Sequence, residues 1–373
     1  MLTSHGQHRY EELDSLRGVA AMIVVFSHVG LFWNMPFAPW HVRFDQSPLG
    51  ILMDGSDAVL LFFVMSGFVL FLPYLRTGER DTYPRFLVKR VCRIYLPYLA
   101  ALAVSIAADL LFYRPLEGMF PRWYGWRRPF PVAAVWAHLL FIGHSGLADF
   151  NPAFWSLVHE MRISIAFPLV ALLALRLRLT WGFGVCMGLC FGGFMLEDLT
   201  HMTDFSTLGY SGLFVLGALI ARYLPQIRTY VETKSALVKT LILIVGFAFL
   251  KSTHLLSPRN YQFWAIVPLH GTAMAIFMIL ALTTVYFRRF LHTAPLRWLG
   301  KVSYSLYLIH GVILYSLVSL FWKKTNQHVL LLLGGVGLVL LVVGPFYHWV
   351  ERPSILLGRR LTRRQPAPVA TAV

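Results

Sequence analysis

Long apolar stretches recur along the whole chain, separated by short polar segments that are rich in Lys and Arg. An apolar stretch of about 18 or more residues can cross the hydrocarbon core of a bilayer as a helix. The pattern therefore predicts an all-α polytopic membrane protein with about ten transmembrane helices. The predicted spans are 16–34, 49–73, 92–112, 152–175, 181–197, 207–224, 236–252, 263–286, 299–321 and 328–350.

The composition agrees with this class of protein. Hydrophobic residues make up 57% of the 373 residues and charged residues only 13%, whereas a soluble domain carries about 25% charged residues. We predict a single membrane-embedded domain over 1–373, with a short N-terminal segment, 1–14, and a basic tail, 354–373, that we expect to be disordered. The first residues are polar and lack an apolar core, so we expect no cleavable signal peptide.

The Lys and Arg residues are distributed between the two sides of the membrane as the predicted topology requires. If the N-terminus is cytoplasmic, 23 of the 33 Lys and Arg residues fall in inside segments, nine fall outside, and Arg162 lies within a span. This distribution obeys the positive-inside rule, and an even number of spans places both termini in the cytoplasm. The net charge of +16 is therefore mainly a topology signal. We expect contact with membrane lipid and no binding of nucleic acid.

Small residues suggest how the helices pack. Gly184, Gly188 and Gly192 have the four-residue spacing that is typical of close helix packing in membranes. The three cysteines all lie in or beside apolar segments, so we predict buried free thiols and no disulfide framework.

Ionisable side chains inside membrane spans are costly, so each of them is a candidate for function. In the first span, Arg17 and His28 are eleven residues apart, about 1100° of helix rotation and about 16 Å along the axis, so they share one face. A snorkelling arginine and a histidine bonded to a neighbouring helix would explain them equally well. Asp14 and Asp57 are further candidates.

The ninth span, "GKVSYSLYLIHG", places Ser303, Tyr307 and His310 on one polar face at i, i+4 and i+7. His310 lies as deep from the predicted cytoplasmic edge as His28. Two histidines at one depth on two spans favour a polar cavity over two separate core histidines.

The fourth span, "NPAFWSLVHEMRISIAFPL", carries a third group of ionisable residues. A zinc-protease helix would need a second histidine where Ile163 stands, so we predict no metal site. A buried Glu160 must be neutral or paired. A structural pairing of Glu160 with Arg162 or a histidine is the alternative to a functional role.

Two further segments are candidate ligand sites. Ser66 and Gly67 in "LLFFVMSGFVLF" allow close approach of a helix or a ligand, and helix packing is the alternative explanation. Arg90 and Arg93 follow in a basic cluster at a predicted helix start. Such a cluster suits a phosphorylated cytosolic ligand, although ordinary positive-inside charge would also account for it.

Six stretches in order along residues 13 to 353 resemble the membrane-bound acyltransferase-3 family. Its bacterial members O-acylate surface and exported carbohydrates, and some members acylate macrolides or lipids. The match covers nearly the whole chain, and the ordered set is specific although no single stretch is. The stretches are "LDSLRGVAAMIVVFSHV", "FFVMSGFVLF", "RVCRIYLPY", "WSLVHEMRISIAFPL", "LGKVSYSLYLIH" and "HWVERP".

The resemblance implies roles for individual residues. His28 of the R-x10-H motif would be catalytic, together with Glu160 and His310, and Arg90 and Arg93 would form a CoA site. After Glu160 the family has an acidic or amide residue followed by an aromatic one, whereas this chain continues Met-Arg-Ile-Ser. This departure leaves the partner of Glu160 open. The implied substrate-binding or CoA-binding residues are Arg17, Arg90, Arg93, Ser66, Tyr304, Tyr307, Trp155 and Asp14.

The expected activity is transfer of an acyl group, by default acetyl, from cytosolic acyl-CoA to a hydroxyl of an exopolysaccharide, lipopolysaccharide or other surface glycan. No cofactor is expected to stay bound. His28 would act either as a general base or as an acyl carrier. We expect a multi-pass protein of the bacterial inner membrane, with a separate periplasmic partner for any esterase-like step. Acylation of a small molecule such as a macrolide, and transport of a glycan or small molecule without acyl transfer, are the alternatives.

Overall fold

The computed structural model describes residues 10–46, 48–76, 81–114, 126, 132–141, 150–256, 263–325 and 327–363. Within these ranges the chain is helical and contains no strand, which confirms the all-α fold. Most of the buried apolar side chains belong to one continuous cluster. The helices are α1 (Glu11–Gln46), α2 (Gly55–Phe71), α3 (Tyr83–Arg90), α4 (Leu96–Phe112), α5 (Val132–Leu140), α6 (Phe154–Ile165), α7 (Phe167–Arg176), α8 (Leu179–Thr200), α9 (Phe205–Glu232), α10 (Ala236–Leu256), α11 (Phe263–Thr283), α12 (Val285–Leu291), α13 (Ala294–Phe321), α14 (His328–Phe346) and α15 (Arg352–Leu361).

The apolar helices agree with the polytopic class that the sequence predicts. Among the described residues, eight helical segments are long and apolar enough to cross a membrane. A ninth crossing forms if α6 and α7, which are bent by 63°, count as one broken span. The predicted span 236–252 coincides with helix α10. The described part of the chain is thus that of a polytopic membrane protein with eight or nine such segments, consistent with the prediction of about ten.

Prolines determine where the helices break or change their winding. Pro168 lies in the first turn of α7, where its missing N–H interrupts the hydrogen-bond ladder that would join α6 to α7. Two π-helical turns, Val91–Tyr95 and Tyr347–Glu351, each end two residues before a proline, Pro97 and Pro353. Such turns are frequent at functional sites, and the first of them contributes Arg93 and Ile94 to the cavity described below.

Glycines bring α1 and α13 into backbone contact. A Cβ atom added to Gly18 would lie 2.5 Å from the backbone nitrogen of Gly300, closer than real Cβ atoms come to a neighbour. Gly300 in turn lies against the backbone of Asp14. The crossing of α2 and α9 is similar, with Gly67 against Phe214. These contacts set the spacing of the helices that carry the candidate site.

The predicted packing of Gly184, Gly188 and Gly192 is wrong. A Cβ atom at any of the three would meet no described atom within 4 Å, so this face of α8 points away from the other described helices. The face of α8 that packs against α9 instead carries Cys186 and Cys190, both fully buried. Like the third cysteine they are buried free thiols, as predicted.

The two ends of the chain are more helical than the sequence indicates. Helix α1 begins at Glu11, inside the predicted N-terminal segment 1–14. Helix α15 covers Arg352–Leu361 and so extends into the tail that we expected to be disordered. Residues 1–9 and 364–373, which hold the rest of these segments, lie outside the described residues.

The glycine contacts predict opposite effects of two alanine substitutions. Gly300→Ala should lower the free energy of unfolding by about 1–3 kcal/mol, because a methyl group would be forced into the backbone of α1. Gly184→Ala, the matched control in open space, should leave stability unchanged or raise it by up to about 1 kcal/mol, because alanine restricts the unfolded chain. Thermal unfolding in detergent measures both. Equal destabilisation by the two variants would contradict the close crossing of α1 and α13.

Candidate active site

Helices α1 and α13 bring the two predicted histidines together. The ring centroids of His28 and His310 are 4.9 Å apart, and Nδ1 of His28 lies 3.3 Å from Nε2 of His310. His310 is fully buried and His28 is half-buried. The two imidazoles therefore form one polar pair within the apolar bundle.

The backbone partners of the two rings assign their tautomers. Nδ1 of His28 is 2.8 Å from the carbonyl oxygen of Val24, and Nδ1 of His310 is 3.0 Å from that of Leu306. A carbonyl oxygen only accepts, so each neutral ring carries its proton on Nδ1. Nε2 of His310 lies 3.3 Å from the same Nδ1 and can share this N–H with the Val24 carbonyl in a three-centre bond. In this tautomer neutral His28 carries its lone pair on Nε2, and the shared bond to His310 stabilises positive charge that develops on His28.

A cavity of about 250 Å³ lies beside this pair, bordered by α2, α3, α6 and α13. One end is basic. The other end is lined mainly by apolar side chains, with the hydroxyls of Ser156 and Tyr307 among them. Neither His28 nor His310 is among the described residues that line the cavity, but the ring of Tyr307 is 6.1 Å from that of His310. The basic residues of the lining are Arg17, Lys89, Arg90 and Arg93.

Glu160 pairs across the cavity with a residue on another helix. Nη2 of Arg90 is 2.9 Å from Oε1 of Glu160 and 2.8 Å from Oγ of Ser164, and the hydroxyl of Ser66 is 3.3 Å from the same carboxylate oxygen. Neither structural pairing considered from the sequence is present: Arg162 binds Asp204, and His159 binds a threonine of α9. The network fixes α6 against α2 and α3.

The remaining arginines of the basic end differ in how they are neutralised. Arg17 pairs with Asp14 of its own helix at 3.1 Å. Arg93 lies on the π-helical turn before Pro97 and is exposed. No hydrogen bond or ion pair joins Arg93 to another described side chain, so of the three predicted arginines it is the one whose guanidinium is not already engaged with a carboxylate.

The other predicted residues divide into two groups. Tyr304 lines the cavity and donates its hydroxyl to the backbone oxygen of Ile94 at 2.8 Å. Trp155 does not line it: this ring lies 6.0 Å from that of His159 and 5.9 Å from that of Tyr210, on the α9 side of α6. Asp14 also lies outside the lining and acts through Arg17.

Asn151 is a site residue that the sequence did not reveal. It is fully buried ahead of α6, donates to the backbone oxygen of Leu308 at 2.7 Å, and accepts from the N–H of Ala153 at 3.0 Å. Leu308 lies between Tyr307 and His310 on α13. The neighbouring Gly311 leaves room for it, because a Cβ there would come within 2.8 Å of the Asn151 side-chain oxygen. The only sequence signal was an Asn-Pro pair before a helix, which usually marks nothing more than a cap.

Two buried carboxylates support the surrounding helices. Glu351, on the second π-helical turn, accepts from the backbone N–H of Ser305 at 3.0 Å and from its hydroxyl at 2.5 Å. Asp57, singled out from the sequence, binds Nδ1 of the buried His270 at 2.6 Å. Glu351 belongs to the "HWVERP" stretch, so the family resemblance was the one indication in the sequence that this residue matters. The partner of Asp57 lies 213 residues away and left no local signal.

Comparison with known proteins places these features in context. A family model described as an acyltransferase domain matches residues 10–348. Acyltransferase MdmB of Streptomyces mycarofaciens is 27% identical over 391 residues, covering 98% of this chain and 95% of that protein. O-acetyltransferase PaAT-1 of Phomopsis amygdali is 22% identical over 445 residues, covering 97% and 87%. No solved structure matches.

The Glu160 network predicts a strong coupling between two distant residues. Arg90→Ala should lower the free energy of unfolding by about 1–3 kcal/mol, because it leaves the carboxylate of Glu160, which is only 20% exposed, without its counter-ion. Adding Glu160→Ala should restore part of this loss, since the unpaired charge is then gone. Thermal unfolding of the two single variants and the double variant measures the coupling.

The exposed pair of α6 provides the control for this cycle. Arg162 and Asp204 form an ion pair of similar length, but the Asp204 side chain is 62% exposed. The same cycle there should give a coupling of only about 0–1 kcal/mol. Additive effects of Arg90→Ala and Glu160→Ala would show that the Glu160 pair does not hold the helices together.

Proposed function

Because the chain belongs to the acyltransferase-3 family and is an enzyme that transfers acyl groups, we propose that it moves an acetyl group from cytosolic acetyl-CoA to a hydroxyl of a surface glycan. The observation that carries the proposal is the position of the His28–His310 pair beside the end of a cavity whose other end is basic. A thioester held by its phosphates at the basic end would extend toward the histidines.

The cations of the cavity are suited to the phosphates of CoA. Guanidinium groups bind phosphate through paired, charge-assisted hydrogen bonds. Arg93 is the principal phosphate ligand in this proposal. Its charge attracts the carboxylate of Glu351, but no hydrogen bond or ion pair joins it to a carboxylate among the described residues. Lys89 and Arg17 add positive charge, and Arg90 orients Glu160 while it lines the same wall. The positive-inside distribution supports entry of the donor from the cytoplasm.

The proposed chemistry uses the lone pair of His28 Nε2. As a general base, His28 takes the proton of the acceptor hydroxyl while the hydroxyl oxygen attacks the thioester carbon, and it then gives that proton to the departing CoA sulfur. As an acyl carrier, Nε2 itself attacks the carbon, CoA leaves, and the acceptor takes the acyl group in a second step. His310 stabilises the positive imidazole in both routes.

The identities of the acyl group and of the acceptor are the most specific parts of the proposal, and each has its own support. An acetyl group is supported by the name of one relative, an O-acetyltransferase. A hydroxyl of an exopolysaccharide or lipopolysaccharide is the acceptor expected from the family resemblance, with the enzyme in the bacterial plasma membrane. A small-molecule acceptor would be the alternative outcome of the labelling experiment below.

His28→Ala should abolish transfer. Membranes that contain the protein are incubated with acetyl-labelled acetyl-CoA, and label is counted in the glycan, protein and small-molecule fractions. The loss of a general base or nucleophile should lower kcat by about 10²- to 10⁴-fold. His292→Ala, which alters an exposed histidine at the start of α13, serves as the control and should transfer normally. Wild-type rates in His28→Ala would exclude the catalytic assignment.

Arg93→Ala should weaken the binding of acetyl-CoA without destabilising the protein. Loss of a charged hydrogen bond to phosphate is worth about 1.5–3 kcal/mol, so KM for acetyl-CoA should rise about 10- to 100-fold while the unfolding temperature stays the same. Arg289→Ala, an exposed arginine that does not line the cavity, is the matched control. An unchanged KM in Arg93→Ala would place the CoA phosphates elsewhere.

A further inference from the structure

Two hydroxyl groups meet at the end of the cavity nearest the histidines. The Ser156 oxygen on α6 and the Tyr307 oxygen on α13 are 2.6 Å apart, and both residues are buried. Apolar side chains such as Leu157 share this part of the cavity wall, and the polar Glu160 and Ser303 lie one helical turn away. Phe62 packs edge-on against the Tyr307 ring with centroids 5.6 Å apart. A ligand that reaches this end therefore meets two hydroxyls in mainly apolar surroundings.

One of the two O–H protons of the hydroxyl pair is available to a ligand as a hydrogen-bond donor. The pair's two O–H groups hold two protons, and one of them forms the bond between the two oxygens. The other available acceptor is the backbone oxygen of Ala153, which is 3.4 Å from Ser156 and so forms a long, weak bond. An entering carbonyl oxygen could accept from Tyr307 and Ser156 in place of these bonds.

Neighbouring contacts hold both hydroxyls in position before any ligand arrives. Asn151 ties the start of α6 to the backbone of Leu308, one residue from Tyr307. Glu160, one turn further along α6 from Ser156, is fixed by Arg90. Donors that are fixed in advance stabilise developing negative charge most effectively, because no reorganisation is required during the reaction.

We propose that the hydroxyls of Tyr307 and Ser156 hold the carbonyl oxygen of the acyl thioester and stabilise the oxyanion formed when that carbonyl is attacked. The inference rests on the proposed function, but it holds for both routes of His28. The Tyr307 ring lies 6.1 Å from that of His310, and the His310 ring lies 4.9 Å from that of His28. A carbonyl held by the hydroxyl pair would therefore lie on the side of the cavity that is nearest the two histidines.

The electrons and protons balance in each route. Attack forms a bond to the carbonyl carbon and moves the π pair onto oxygen, where both hydroxyls donate to it. The pair then returns, the carbon–sulfur bond breaks, and CoA leaves as the thiolate. In the general-base route the thiolate takes the proton that His28 removed from the acceptor. In the carrier route the acyl-imidazole is positively charged because His28 keeps its Nδ1 proton. The acceptor hydroxyl loses its own proton when it takes the acyl group, neutral His28 is restored, and that proton neutralises the CoA thiolate.

Tyr307→Phe is the decisive variant, because it removes one oxygen and keeps the ring. With acetyl-CoA as donor, kcat should fall about 10²- to 10³-fold, the usual cost of losing one oxyanion donor, while KM for acetyl-CoA changes by less than about threefold. Ser156→Ala should lower kcat in the same way, and Ser156→Thr, which keeps the hydroxyl, should restore much of it. The double variant should be little slower than Tyr307→Phe, because the two groups act as a unit.

Tyr98→Phe is the matched control for loss of a buried tyrosine hydroxyl. Tyr98 is fully buried, donates to the backbone oxygen of His138 and does not line the cavity. Its variant should match Tyr307→Phe in unfolding temperature but retain kcat. If Tyr307→Phe retains kcat within about threefold, or if Ser156→Thr is as slow as Ser156→Ala, the inference is overturned. If the wild-type protein itself fails to transfer from acetyl-CoA, the proposed function fails instead. The serine variants decide the question if Tyr307→Phe does not fold.

Discussion

The close crossing of α1 and α13 is the contact on which the geometry of the site depends. Gly18 and Gly300 touch at this crossing, and His28 and His310 each follow their glycine by ten residues. Ten residues correspond to about 15 Å of helix, so two helices that run in the same direction from this contact bring the histidines to one depth. A shift by one residue in either helix would rotate its imidazole by about 100° and separate the rings. Because the bilayer core offers no water to a displaced polar group, the crossing and the pair stabilise each other.

Helix α6 adds the third element, and its two faces have different partners. The face that carries Ser156 and Glu160 contacts the cavity, whereas the face that carries His159 and Arg162 binds the start of α9. A short helix in apolar surroundings must satisfy its exposed backbone end, and Asn151 does this while it also binds α13. Because α6 and α7 are bent by 63° at their junction, α6 does not share the direction of α7. The polar contacts described above hold α6 in its orientation within the bundle.

The sequence predicted the parts of this arrangement that depend on one helix at a time. Apolar length gave the spans, and helical periodicity placed Arg17 and His28 on one face and Tyr307 with His310 on another. The sequence could not predict which side chains on different helices would pair with each other. Glu160 binds Arg90, 70 residues away, rather than a neighbour on its own helix. The spacing of Gly184, Gly188 and Gly192 places them on one face of α8, but spacing alone does not tell whether another helix packs against that face. Asn151 looked like an ordinary helix cap because its contact with Leu308 depends on the tertiary fold.

The position of Tyr307 explains why the cavity and the histidines are adjacent but not continuous. The cavity ends at the Ser156–Tyr307 pair, and the imidazoles lie behind it. Apolar side chains such as Phe62 make up much of the wall at that end, and such surfaces disfavour water. An activated acyl group is open to hydrolysis wherever water reaches a base, and exclusion of water protects it. A boundary made of two hydroxyls differs from one made of apolar rings, because it can exchange its internal hydrogen bond for bonds to a carbonyl oxygen. The same pair can therefore close the cavity when it is empty and bind the reacting group when it is filled.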